Sequence, residues 1–307
     1  MQLQVDGLLL IDKPAEMTSH DVVQILRKRL KQKAIGHTGT LDPLATGLMV
    51  LVLGEATKLS DYLVAEDKEY ALRVRLGRTS DTWDREGTLL SEVSCTHLEP
   101  ETIRHTVERL QGEFEWDVPL FSAAKVDGRK LCEYGRKGEP VQIPRKKMIF
   151  WKPQIEAFDG TRLDLRLSCS KGSFIRAWAH ELGRQLGVGG LVEGLRRLRV
   201  GRWKLEEAAP LDSLLCPEDM ISRLIPMGQA LPGVKSVLAG PKEARLVGHG
   251  QIPRDVTTRL ISEQKEAIQS GKPVFVKVVS STGDLLAILA AEPKQGLKIR
   301  RVFRTIA

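Results

Sequence analysis

The residues best suited by type to chemistry are concentrated in one stretch, GHTGTLDPLATG, from Gly36 to Gly47. Glycines at 36, 39 and 47 permit sharp turns and close approach of the backbone to a ligand. Asp42 stands between Leu41 and Pro43, and the proline restricts it to extended backbone, which fixes the direction of its carboxylate. A rigidly presented carboxylate suits a nucleophile or general base. The competing reading is a turn or cap residue, the usual role of an Asp-Pro pair in a loop. His37 lies in the same stretch, but no Ser or Cys nucleophile is arranged around it. Neither GxxxxGK[ST] nor GxGxxG is present, which disfavours a phosphate cradle.

Two further segments carry charged groups. Asp81 and Asp84, in TSDTWDREG, resemble half a metal site at most, and with no nearby His the better reading is loop stabilisation. In CSKGSFIRAWAHELG, Gly172 turns the chain into a helix beginning near Ser173, which puts Arg176 in the first turn. An arginine there opposes the helix dipole. A solvated side chain is the default reading, and a compensating carboxylate or phosphate is the alternative.

The elements around these groups are legible from periodicity. Gly7–Asp12 reads as a short buried strand ending at Lys13-Pro14. Thr18 and Asp21 form a capping box for a helix whose apolar face is Val22, Val23, Ile25, Leu26 and Leu30. Its other face, Arg27, Lys28, Arg29 and Lys31, reads as solvated. Leu48–Leu53 is a strand, Glu55–Val64 a helix, and Lys68–Leu76 alternates as a strand does. Pro100 opens a helix that stops near Gly112. Val141–Phe158 and Arg162–Cys169 form a hairpin turned by Asp159-Gly160. Ser173–Leu186 is a helix. After Pro226 the pattern becomes a small β-rich module: a helix at Lys242–Val247 and strands near Val274–Val279, Leu285–Ala290 and Leu297–Phe303.

Composition bounds the function. A chain of 307 residues predicts about two domains. The net charge of +8 favours an anionic partner such as nucleic acid. Most of it lies in residues 226–307, with 13 Lys/Arg against 6 Asp/Glu, whereas the first 225 residues are nearly balanced. Aromatics are only 5%, which argues against a large stacking surface for single strands. The cysteines at 95, 132, 169 and 216 form no CxxC pair and have no His cluster beside them, so they read as free thiols in a reducing compartment. The N-terminal segment has no basic n-region, and no apolar run approaches the roughly 20 residues that span a bilayer. A soluble, cytoplasmic protein with no membrane contact is the expectation.

Taken together and in order, these segments resemble the bacterial tRNA pseudouridine synthases that act on uridine 55, the TruB family. The resemblance rests on DGLLLIDKP, Thr18-Ser19 with Val22-Val23, GHTGTLDPLATG, GEATKLSDYL, DKEYALRVRLG, DTWDREG, SAAKVDGRKL and CSKGSFIR, and runs from about Gly7 to Phe303. It implies that Asp42 is the catalytic aspartate, that Tyr70 stacks on the target uracil, and that Arg176 pairs with the aspartate. It places Leu195 in the pocket, His37 near the flipped nucleotides, Lys58 close to the site, and Lys13 with Pro14 in a supporting motif, so that His37, Lys58, Leu195 and Lys13 are the expected substrate-side residues. The sequence departs from the family at Glu16 (usually Gly), at Trp116 and Val118 (usually Gln and Pro), and at Phe174 and Cys132 (usually Tyr).

The resemblance further implies an α+β architecture. Residues 1–226 form a catalytic domain with a mixed, mainly antiparallel central sheet and an active site in a cleft across it, and residues 227–307 form a PUA-like RNA-binding domain. Its partner is the T-loop and T-stem of tRNA, it works as a monomer with no protein partner, and it needs no cofactor and no metal. The carboxylate could form an adduct with the sugar, stabilise oxocarbenium-like character, or remove a sugar proton. The alternatives are a non-catalytic tRNA-binding or folding protein on the same scaffold, and a guide-RNA-dependent synthase. The short N-terminus without a basic extension favours the stand-alone type.

Overall fold

The strand Thr46–Leu53 shows how the sheet is covered. Its run of consecutive apolar residues is the pattern of a strand buried on both faces. In the computed structural model, which describes residues 4–304, Met49, Leu51 and Leu53 join one core while Leu48, Val50 and Val52 join another. The first core is filled by Val22, Val23, Leu26 and Leu30 of the helix Ser19–Leu30 and by Ala177, Trp178 and Leu182 of the helix Ile175–Gln185. The second is filled by Leu59, Leu63 and Trp203, and by Val279, Leu285, Ile288 and Phe303 from the C-terminal segment.

The main sheet is mixed and mostly antiparallel. Its strands run in the order 209–210, 7–13, 46–53, 190–200, 68–76, 162–169, 145–158 and 112–117. The pair 7–13 with 209–210 is parallel, as is the two-residue contact between 46–53 and 190–200; the other neighbours along this path are antiparallel. A second sheet, in the order 235–239, 274–280, 285–292 and 296–302, packs behind the first. The architecture is therefore α+β, as the family resemblance implies.

Local expectations hold where periodicity is strong. The strands Lys68–Leu76 and Arg162–Cys169 have the expected bounds. The capping box is present: the Thr18 hydroxyl accepts from the Asp21 amide (3.1 Å) and the Asp21 carboxylate accepts from the Thr18 amide (2.9 Å). The basic helix face differs from expectation. Arg29 donates to the carbonyls of Leu211 and Leu214, and Arg27 to that of Ile35, so both tie the helix to neighbouring chain.

Three other expectations are corrected. Val141–Pro144 lies outside the strand, which begins at Arg145. The stretch Glu55–Val64 is a 3₁₀ turn, Gly54–Leu59, followed by a short α-helix, Ser60–Val64. The Thr57 and Ser60 hydroxyls bind the carbonyls of Gly54 and Thr57, a local competition that tightens the turn. The C-terminal segment holds two unforeseen helices, Arg254–Arg259 and Ile261–Ser270, besides the helix Pro241–Gly248. They bury few apolar residues and have no side-chain N-cap bond, which explains the weak sequence signal.

Gly47 joins the motif loop to the sheet. Its φ is +102°, and a Cβ there would lie 2.4 Å from the Arg197 carbonyl oxygen. Gly47→Ala is expected to cost at least about 2 kcal/mol through strain and collision, read as a lowered midpoint in urea unfolding.

Candidate active site

The loop between the strands Ile35–His37 and Thr46–Leu53 is pinned at nearly every residue. The Ser19 hydroxyl accepts from the Leu41 amide (2.8 Å) and donates to the Leu41 carbonyl (3.1 Å), immediately before Asp42. Pro43 follows, and its carbonyl takes the Glu16 amide (3.0 Å) and the Lys13 ammonium (3.3 Å). Ala45 closes the turn with a bond to the Asp42 carbonyl (3.1 Å). Glu16 adopts φ +62°, the left-handed backbone for which glycine is the ordinary choice.

Asp42 is held by Arg176. Both carboxylate oxygens are engaged, Oδ2 by Nε and Oδ1 by Nη2, each at 2.9 Å. This bidentate fork fixes orientation as well as charge. Arg176 spends its other donors on the carbonyls of Thr82 (3.0 Å) and Phe121 (2.9 Å) and on the Asp84 carboxylate (3.3 Å). Its side chain is only 5% exposed. The dipole mismatch in the helix's first turn is thus answered by two carboxylates.

Asp84 stabilises its own loop, as its sequence context predicts. Its Oδ1 accepts from the Thr82 hydroxyl (2.6 Å) and the Glu86 amide (3.0 Å). Trp83 beside it takes φ +63° and stacks on His180 with ring centroids 4.4 Å apart. The strained turn aims Asp84 inward at Arg176, a role that sequence reasoning missed. Asp81 stays outside, accepting from the Thr88 amide.

Asp42, Tyr70, Arg176 and Leu195 line one cavity of ≈ 450 Å³, with Lys146, Phe174 and Arg197 also on its wall. This volume lies in the range of small-ligand sites. A larger groove of ≈ 880 Å³ shares Leu195 but lies over paired charges, Arg73–Asp164, Arg162–Glu193 and Arg196–Asp12. The smaller cavity holds the reactive groups. Burial pushes the Asp42 carboxyl above the usual carboxylate range, Arg176 pulls it back, and Asp84 adds to the rise. Burial likewise pushes the Tyr70 phenol up to about 12. It lowers the His37 imidazole, helped by Arg197 and His20.

The other expected substrate-side residues lie apart from this cavity. Lys13 is fully buried and donates to the carbonyls of Pro14, Met17 and Pro43, so it props the loop from beneath. Desolvation lowers its ammonium to about 8. Lys58 pairs with Glu55 (2.5 Å), donates to the Val302 carbonyl and lies 5.9 Å over the Phe303 ring. It sits at the junction with the C-terminal sheet. His37 is half-buried just before the loop, its Nδ1 accepting from the Gly39 amide (3.3 Å). Trp116 and Val118 are absorbed by packing, Trp116 stacking on Phe114 and Val118 buried in the core. Among the described residues no group of three or more His, Cys, Asp or Glu is placed to hold a metal ion.

The fold is shared with chains of solved RNA–protein and protein complexes. A chain of an H/ACA RNP bound to a substrate RNA superposes with a TM-score of 0.71 at 20% identity, covering 97% of this chain and 85% of the other. A chain of a Cbf5-Nop10-Gar1 complex gives 0.69 at 22% identity, covering 97% and 85%. At sequence level, the model of the TruB family pseudouridylate synthase N-terminal domain matches residues 27–175. A Bdellovibrio bacteriovorus protein named tRNA pseudouridine synthase B is 40% identical over 305 residues, covering 98% of each chain. One of the same name from Solibacter usitatus is 37% identical over 287 residues, covering 92% of this chain and 95% of its own. The chain belongs to the TruB family of pseudouridylate synthases.

The electrostatics of the pair give opposed pH effects. If the reaction requires an ionised Asp42, its raised pKa sets the acid limb of the rate. Arg176→Met removes the group that lowers it, so the limb moves to higher pH and the deficit is larger near pH 6 than near pH 8. Asp84→Asn removes a group that raises it, so the limb moves to lower pH. Both lose about 100-fold or more in plateau rate through loosened geometry. Single-turnover pseudouridine formation followed across pH checks both signs.

Proposed function

We propose that the chain isomerises uridine to pseudouridine in tRNA, at uridine 55 of the T-loop and without a guide RNA, with Asp42 acting at the ribose–base bond. The observation that carries this reading is the Asp42–Arg176 fork on the wall of a nucleotide-sized cavity shared with Tyr70 and Leu195. End-to-end similarity to proteins named tRNA pseudouridine synthase B favours tRNA as the RNA.

The chemistry suits these groups. The N1–C1′ bond breaks, the uracil turns in place, and a C5–C1′ bond forms; C5 loses its hydrogen as a proton and N1 takes one up. Nothing is oxidised or reduced. The uridine must leave its stack to reach Asp42, at a cost of a few kcal/mol. Asp42, ionised and fixed by Arg176, opposes charge at C1′ or bonds to the sugar. The Tyr70 ring faces the base, and burial, which raises its phenol to about 12, keeps it protonated at neutral pH. Leu195 excludes water from the intermediate.

In this reading residues 1–226 form the catalytic domain and residues 227–307 a PUA-like domain that grips the RNA backbone with its basic excess. The protein acts as a monomer in the cytoplasm. Shape recognition of a folded T-loop is consistent with the low aromatic content.

Two measurements test this. Release of tritium from C5-labelled uridines in a bare tRNA transcript is expected near one equivalent per tRNA for wild type and to be lost in Asp42→Asn. No release with tRNA bound would point to a folding protein or an enzyme missing its guide. Neutralising exposed C-terminal cations such as Lys272 and Lys298 is expected to weaken tRNA binding. Each lost phosphate contact flattens the salt dependence by about 0.7–0.9 in log–log slope. An unchanged slope sinks the RNA-gripping role.

A further inference from the structure

Arg197 is a buried cation of the site that the chemistry above leaves without a task. It lies in the strand Gly190–Val200, in register with Gly47 on one neighbour and with Tyr70 on the other. The side chain is 1% exposed. A buried guanidinium is ordinarily paired with a carboxylate. Here the hydrogen-bond partners are carbonyls: Nε donates to Leu48 (2.6 Å), Nη1 to Thr40 (3.4 Å) and Nη2 to Gly39 (3.1 Å).

Two of these carbonyls lie just before Asp42 and the third on the strand that follows the loop. The glycines of the motif make room for this residue. A Cβ on Gly39 would stand 3.3 Å from Arg197 Nη1, and one on Gly47 would stand 2.4 Å from the Arg197 carbonyl oxygen. Tyr70 and Arg197 are cross-strand partners, and both line the cavity.

We propose that Arg197 is a positioning residue for the reaction: one guanidinium holds the Gly39–Thr40 backbone, and through it the Asp42 carboxylate, in fixed register with Tyr70. This rests on the cavity being the pseudouridine-forming site. Lysine at the same position keeps the charge but has no planar fork to span three carbonyls.

The test compares wild type, Arg197→Lys, Tyr70→Phe and the double variant, with Asp42→Asn as the inactive control. Single-turnover tritium release, tRNA affinity and thermal unfolding are measured for each. Arg197→Lys is expected to lose about 100-fold in rate at saturating tRNA while affinity changes by less than about threefold. Its loss combines with that of Tyr70→Phe less than multiplicatively, because the two are cross-strand neighbours on one cavity wall. A rate within about threefold of wild type, a parallel fall in affinity, or multiplicative losses would overturn the proposal. If Arg197→Lys does not fold, Gly39→Ala presses a Cβ against the retained guanidinium and must show the same rate loss; an unchanged rate overturns the idea equally. A wild type that releases no tritium overturns the functional reading and this proposal with it. An active wild type with an equally active Arg197→Lys overturns this proposal alone.

Discussion

The guanidinium of Arg176 is the constraint on which the site depends. A carboxylate in a partly dry cavity is costly to keep ionised unless a cation stands beside it. A buried arginine is as costly unless its donors are filled. Asp42 and Arg176 answer each other's cost, and the arginine's remaining donors draw in Thr82, Phe121 and Asp84. Three chain segments distant in sequence are thereby fixed around one group. Removing Arg176 would leave the buried Asp84 carboxylate and Asp42 without their shared cation, a loss of about 3–5 kcal/mol in such settings.

That arrangement needs a rigid frame, which the sheet supplies. The strand Thr46–Leu53 is covered by helices on one face and by the C-terminal unit on the other, so the loop that carries Asp42 leaves from the most enclosed part of the fold. Toward the opposite edge one face opens. There the alternating strands 68–76 and 162–169 present Arg73, Arg75, Asp164 and Arg166 beside the larger groove. The same alternation places Tyr70 on the buried side, facing the cavity. A shift of register by one residue would turn the phenol outward and abolish the site.

The C-terminal sheet contributes through contact as well as charge. Phe303 and Ile288 enter the second core, Arg301 reaches Asp61 (3.2 Å), and Lys58 reaches the Val302 carbonyl (3.1 Å). Exposed pairs of this kind are worth little singly; the apolar contact supplies most of the attachment. Lys58 thus stands beside the last strand of the second sheet, at a place where its charge is already matched by Glu55.

Local chemistry alone determined much of this. The Thr18–Asp21 box, the alternation over Lys68–Leu76 and the Asp159-Gly160 hairpin each depend on neighbours a few residues apart, and each is present as read. The restricted Asp42 backbone and the family motifs also lay within short segments. The ion-pair network did not. Asp42 and Arg176 are 134 residues apart, and nothing periodic marks Asp84 or Ser19 as their companions. Lys13 and Lys58 are alike as charged letters, yet one lies buried under a loop and the other beside the second sheet. Arg197 looked like one more basic residue in GLRRL. Strand order decides which distant side chains meet, and burial decides which charges must find a partner; both are properties of the folded chain.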